Sequence, residues 1–152
     1  MLTITPFLWF DTQAEEAMNY YASIFPRAKV VTVHRANGRV MSVEYELEGQ
    51  KFMALNGGPQ LKFNESISFF VGCDTQQEID ALWDKLTADG GSPNRCGWLK
   101  DKFGLSWQII PTRLGSWLGG GGDPARAKRV MDTMLSMEKL DAGRLQQAYD
   151  AK

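Results

Sequence analysis

The side chains in this sequence that could do chemistry are few and scattered. There is one histidine, His34, in the run AKVVTVHRA beside the turn signal Asn37-Gly38. An imidazole without a second donor at ligand spacing reads as an exposed strand residue, not as a base or a metal ligand. Cys73 and Cys96 are the only cysteines and no CxxC occurs. They read as two reduced thiols, not as a disulfide framework or a metal clip. Asp101 precedes Lys102-Phe103-Gly104 and reads as a turn-shaping residue before it reads as a general base. The glycine run in LGGGGDP invites comparison with a nucleotide loop. Such a loop should follow a strand, whereas this run follows the helix-like RLGSWL, so it reads as a flexible connector. No catalytic constellation emerges, and the catalytic residues are unknown.

What repeats is a structural motif. FDTQAEEAMNYY and CDTQQEIDALWD both spell Asp-Thr-Gln, with an offset of 63 residues between Asp11 and Asp74. Thr12-x-x-Glu15 and Thr75-x-x-Glu78 read as capping boxes. Apolar residues follow each at helical spacing: Ala17, Tyr20, Tyr21 and Ile24, then Ile79, Leu82, Trp83 and Leu86. TITPFLWF and SISFFVGC precede them as strands. After the first helix come AKVVTVHRA, the Asn37-Gly38 hairpin, RVMSVEYELEG and KFMALNGG. After the second come a short strand near Ser92, NRCGWLKD and LSWQIIP. The expected fold is therefore α+β, a duplicated half-domain in which 1–63 reads β-α-β-β-β and 64–112 reads β-α-β-β, with or without the short strand near Ser92. Residues 113–152 form a linker and a helical tail. Asp123-Pro124 starts a helix with Ala127, Val130, Met131, Met134 and Leu135 on one face, and LDAGRLQQAYD forms a last short one. The tail helix packs either on its own sheet or on a second subunit.

The chain has 152 residues, a mass of 17.0 kDa and a formal net charge of −1. No strong field recruits nucleic acid or an anionic membrane. MLTITPFLWFD lacks a basic leader, and Thr3, Thr5 and Pro6 break its apolar run, so neither a signal peptide nor a membrane span is expected. A cytoplasmic location follows, with no nucleic-acid or membrane partner.

Three segments carry a family resemblance: TPFLWFDTQAEEAMNYYASIFP, ALNGGPQLKFNESISFFVGCDTQQEIDALWDKL and CGWLKDKFGLSWQIIP. Together they resemble the PhnB-like branch of the vicinal oxygen chelate superfamily, over roughly residues 3 to 137. The branch carries the label 3-demethylubiquinone-9 3-methyltransferase. The superfamily includes glyoxalase I, bleomycin-resistance proteins and extradiol dioxygenases. The resemblance implies a glyoxalase-like fold, two βαβββ modules forming a cupped mixed sheet, and a homodimer. It also implies His and Glu metal ligands from the first, fourth, fifth and eighth strands. The matching positions here are Thr3, Ile4 or Thr5; Leu55 or Asn56; Ser66, Ile67 or Ser68; and Gln108. None is a histidine or a carboxylate, so no metal and no cofactor is expected.

The 63-residue offset aligns Thr3 with Ser66 and Thr5 with Ser68. Alternation then turns Ser66, Ser68 and Phe70, with Ser106, Gln108 and Ile110, toward the cup, and Ile67, Phe69 and Val71 toward the helices. The expected ligand-binding residues are Gln108, Ser66, Ser68, Asn56, Trp98 and Phe70. The expected function is a metal-free small-molecule-binding protein, or an enzyme of unknown substrate. The alternatives are a methyltransferase, or a metal-dependent lyase or dioxygenase with a rebuilt site.

Overall fold

Period-two alternation decides the first sheet. In RVMSVEYEL, Val43, Tyr45 and Leu47 are buried while Ser42, Glu44 and Glu46 are only half-buried, so one face of this strand is covered. The computed structural model describes Met1–Lys152. It contains two compact units, Met1–Lys62 and Phe63–Lys152. No helix is long and apolar enough to cross a membrane.

The first unit runs β1 (Phe7–Phe10), α1 (Ala14–Ile24), β2 (Ala28–Ala36), β3 (Arg39–Leu47) and β4 (Gln50–Asn56). Its sheet has the order β1-β4-β3-β2, with β1 parallel to β4 and the other pairs antiparallel. Asn37 and Gly38 both take positive φ (54° and 74°), the geometry that a tight hairpin turn demands. Helix α1 buries Ala14, Ala17, Met18, Tyr21 and Ile24. Tyr21 stacks on Tyr45, which stacks on Phe52. Burial of side chains this large contributes about 1.5–3 kcal/mol each.

The second unit repeats the connectivity: β5 (Ser68–Cys73), α2 (Gln76–Thr87), β6 (Ser92–Pro93), β7 (Trp98–Lys100) and β8 (Ser106–Pro111). Its sheet order is β5-β8-β7-β6, again with a parallel first pair. Helix α2 buries Ile79, Trp83 and Leu86. Each unit is thus a βαβββ module, and the duplication read from the sequence is present in the topology.

The two capping boxes fare differently. Thr75 Oγ1 accepts from the Glu78 amide (3.2 Å), and the Glu78 carboxylate accepts from the Asp74 amide (3.4 Å). The box expected at Thr12 does not form. Glu15 is drawn off by Arg35 of β2, at 2.8 and 3.0 Å. The first turn of α1 is capped instead from β4: Asn56 Oδ1 accepts from the Ala14 amide (2.9 Å), and Asn56 Nδ2 donates to the Val40 carbonyl (3.2 Å). The strands are also shorter than expected. β1 begins only after Pro6, and Ser66 lies ahead of β5.

The tail packs within the second unit. It forms α3 (Leu114–Gly119), a 3-10 turn (Gly120–Gly122), α4 (Pro124–Leu135) and α5 (Ala142–Asp150). Leu114, Trp117, Val130, Met137, Leu140 and Leu145 close around Ile110 of β8. Gln76 fastens the α4–α5 connection to α2, donating to the Leu140 carbonyl (2.9 Å) and accepting from the Ala142 amide (2.8 Å). The glycine run is therefore a packed turn and not the flexible connector expected. Gly120 and Gly121 have φ of 66° and 61°, and a Cβ on Gly121 would lie 2.7 Å from Tyr149 Oη. Expectation from the sequence failed here because a glycine run signals freedom only while nothing packs on it.

Unequal capping leads to an unequal response. Asn56→Ala should destabilise the protein by about 1–2 kcal/mol, and Thr12→Ala by less than about 0.5 kcal/mol, in urea unfolding. Equal losses would contradict the capping described.

Candidate functional site

The register of β8 places the candidate residues. Its parallel neighbour gives Ser68↔Ser106 and Phe70↔Gln108; its antiparallel neighbour gives Trp98↔Gln108 and Lys100↔Ser106. Leu99, Trp107, Ile109 and Phe69 lie on the α2 side, where the Phe69 and Trp107 rings meet edge to face at 5.3 Å. The opposite side therefore carries two cross-strand rows. One is Phe70–Gln108–Trp98, an amide between two aromatic rings. The other is Ser68–Ser106–Lys100, two hydroxyls and an ammonium.

Within these rows Gln108 Nε2 donates to Ser68 Oγ at 2.9 Å. Phe70 is 64% exposed, a large aromatic surface left without cover. Trp98 is half-buried and Ser106 buried. Ile110, one step further along the same side of β8, is already part of the tail cluster, so the tail bounds the rows at that end. Lys100 forms an ion pair with Glu65 from the segment before β5. The hydrogen bond from Lys100 holds the Glu65 carboxyl below its ordinary pKa. Sequence reasoning missed this pair. Lys100 was accessible to it, two residues from Trp98 on an alternating strand; the reach of Glu65 was not.

Two expected residues stand apart. Ser66 is exposed, and its amide and hydroxyl both bond to Asn64 Oδ1. Asn56 belongs to the first unit and faces α1, as its capping role requires. The glycines after it are structural too. A Cβ on Gly57 would lie 2.2 Å from the Trp9 ring, and the Gly58 carbonyl accepts from Trp9 Nε1 (3.0 Å). His34 is exposed on β2. Asp101, 2% exposed, accepts from the Phe103 and Leu105 amides and from Trp107 Nε1, so its carboxylate pins the β7–β8 turn.

A separate pocket of about 260 Å³ lies where β5 and β8 end against α3 and α5. Arg113 stacks over the Trp117 ring at 5.1 Å on its wall, and Asp74 accepts from Thr112. Cys73 also lines it. Burial, with Glu78 and Asp74 nearby, pushes the Cys73 thiol up to about 11.

No group of three or more His, Cys, Asp or Glu side chains could hold a metal ion. Gln108 and Ser68 are neutral and bonded to each other, and Asn56 is committed to α1. This donor set does not fit a divalent cation.

The sequence profile of the family described as 3-demethylubiquinone-9 3-methyltransferase matches residues 2–110. The chain belongs to this family. The PhnB protein from Bacillus cereus is 33% identical, over 72% of this chain and 99% of that one, with a TM-score of 0.68. Two more distant structures share the fold of this 3-demethylubiquinone-9 3-methyltransferase family member. One is a glyoxylase/bleomycin resistance protein/dioxygenase domain from Frankia sp. (14% identity, 73% and 92% of the two chains, TM-score 0.50). The other is the fosfomycin resistance protein FosX from Listeria monocytogenes, complexed with Mn(II) and sulfate (11%, 77% and 98%, 0.52). No curated protein matches the chain significantly. The family match ends before the tail, which supplies α3, α4, α5 and one wall of the 260 Å³ pocket.

A raised thiol pKa gives Cys73 a defined pH response. The folded value lies above the ordinary 9.0, so the stability it contributes is present below about pH 9 and is lost as pH rises toward 11. At pH 8 iodoacetamide should modify Cys96 in the native protein and leave Cys73 intact until denaturant is added, as peptide mass mapping would read. Native alkylation of Cys73 at the rate of Cys96 would contradict the burial.

Proposed function

We propose that this protein binds a small organic molecule without a resident metal ion, on the side of the second sheet turned away from α2. The observation that carries the reading is the row Phe70–Gln108–Trp98 with the Gln108–Ser68 bond beside it. Aromatic walls supply apolar contact, and an oriented amide and hydroxyl fix direction, which is the composition of a small-molecule site. Gln108, Ser68, Phe70 and Trp98 are the proposed contacts. Ser66 and Asn56 are left out because their polar atoms already serve local structure. Fold relatives include FosX, whose structure holds Mn(II) and sulfate. The neutral donors here favour retention of the binding scaffold without the ion.

Methyl transfer is not favoured. A methyl donor such as adenosyl methionine needs room at a glycine-rich turn, and Gly120 and Gly121 are packed against Ala127 and Tyr149. The molecule is placed in the cytoplasm as part of the same proposal, because its thiols are unpaired.

Native mass spectrometry of protein purified without chelator should find an organic species and no stoichiometric divalent ion. Gln108→Ala should weaken retention of that species about tenfold, the loss of one oriented hydrogen bond in a partly buried site. One metal ion per chain, or undiminished retention in Gln108→Ala, would overturn the reading.

We also propose a homodimer. Phe7 and Phe70 occupy equivalent positions of the two modules, and both are exposed, as are Ile4 and Ile67. Apolar surface repeated in this way suits an interface between copies. Sedimentation equilibrium should give about twice the 17.0 kDa chain mass, and Phe7→Asp with Phe70→Asp should return the monomer. A monomer in the parent protein at micromolar concentration would exclude it.

A further inference from the structure

We infer that the molecule bound on these rows carries an acidic group, and that Lys100 holds it after Glu65 swings away. The inference rests on the binding reading above and adds the charge of the ligand to it. It starts from register. Row Phe70–Gln108–Trp98 and row Ser68–Ser106–Lys100 lie two residues apart along the strands, about 6.7 Å, and each is about 10 Å wide across three strands. A molecule with a flat part over the first row therefore reaches the second with a substituent one or two bonds long.

The second row is rich in donors. Ser68 Oγ accepts from Gln108, which leaves its own hydrogen available to donate. Ser106, buried, forms the floor between Ser68 and Lys100. Lys100 has three donors, and one Glu65 carboxylate does not exhaust them. No carboxylate lies on this side of β5, β7 or β8. Glu65 comes from outside the sheet and is the sole acidic partner of Lys100. The Ser68 hydroxyl and the Lys100 ammonium in one row match the oxygens of a carboxylate or a phosphate monoester, and fit a neutral or cationic group poorly.

Glu65 explains how a cation waits there. Both partners of the pair are partly exposed, and an exposed pair of this kind contributes little to stability, so an incoming oxyanion can replace Glu65 at small cost. Glu65 is then a counter-ion that lowers affinity for weakly held anions.

The test compares benzoate and phenyl phosphate with benzamide at pH 7, following the Trp98 indole and Gln108 side-chain amide signals by NMR. The acids should shift both signals and bind about tenfold more tightly than benzamide, as one charge-assisted contact implies. Lys100→Met should abolish that preference. Glu65→Gln should tighten the acids several-fold and leave benzamide unchanged. If benzamide shifts the same signals equally well, the acidic ligand is excluded and the site stands; if the preference survives in Lys100→Met, Lys100 is excluded as the group that holds the acid. If no probe shifts Trp98 or Gln108, the site reading falls and this inference falls with it. Circular dichroism on both variants separates lost binding from lost fold.

Discussion

The register of β8 is the constraint on which the site depends. β8 is bonded on both sides, parallel to β5 and antiparallel to β7, so its side chains have two fixed faces. A slip of one residue would send Gln108 into the α2 core and Trp107 out of it. Two anchors prevent this, and both act from the α2 side. The buried Asp101 carboxylate ties the β7–β8 turn to the Trp107 indole, and Phe69 packs on that indole from β5. Because the register is held from one side, the other is free to carry polar and aromatic groups that packing does not require.

The tail bears on the same strand. Ile110 is shared between β8 and the helical cluster, so α3, α4 and α5 cover the sheet one row beyond Gln108. This fixes where the open surface stops. It also accounts for the packed glycines, since α3 must turn sharply into α4 for Trp117 and Val130 to meet. Gln76 belongs to the second Asp-Thr-Gln, and it joins α2 to this layer. Its counterpart Gln13 makes no side-chain cap. The duplicated triplet has thus kept its sequence in both modules while its third residue serves a tail that only one of them meets.

Much of the fold was legible because it rests on local rules. Alternation found the strands, helical spacing found α1 and α2, and Asn37-Gly38 and Asp123-Pro124 marked a hairpin and a helix start. What failed depends on partners distant in sequence. Glu15 is taken by Arg35, 20 residues away, and Asn56 caps a helix 42 residues upstream. The same division runs through the residues proposed for the site. Alternation on β5 and β8 aligned Ser68, Phe70 and Gln108, whereas Ser66 and Asn56 looked alike by residue type and differ only in what they bond. Glu65 could not be paired with Lys100 without the loop that brings it there.

The neutral amide and hydroxyl on these rows have a consequence for folding. Carboxylates and imidazoles gathered for an ion repel one another, or stand desolvated, until the ion neutralises them. Gln108 and Ser68 instead satisfy each other at 2.9 Å, and no buried side-chain nitrogen or oxygen in the chain lacks a partner. The second module therefore has no electrostatic debt that an ion must settle before β5 and β8 can pair. The one cation on these rows, Lys100, is balanced by a residue of the chain itself and stays at the surface. Pairing of the strands in this module is thus complete in the side chains of the module itself.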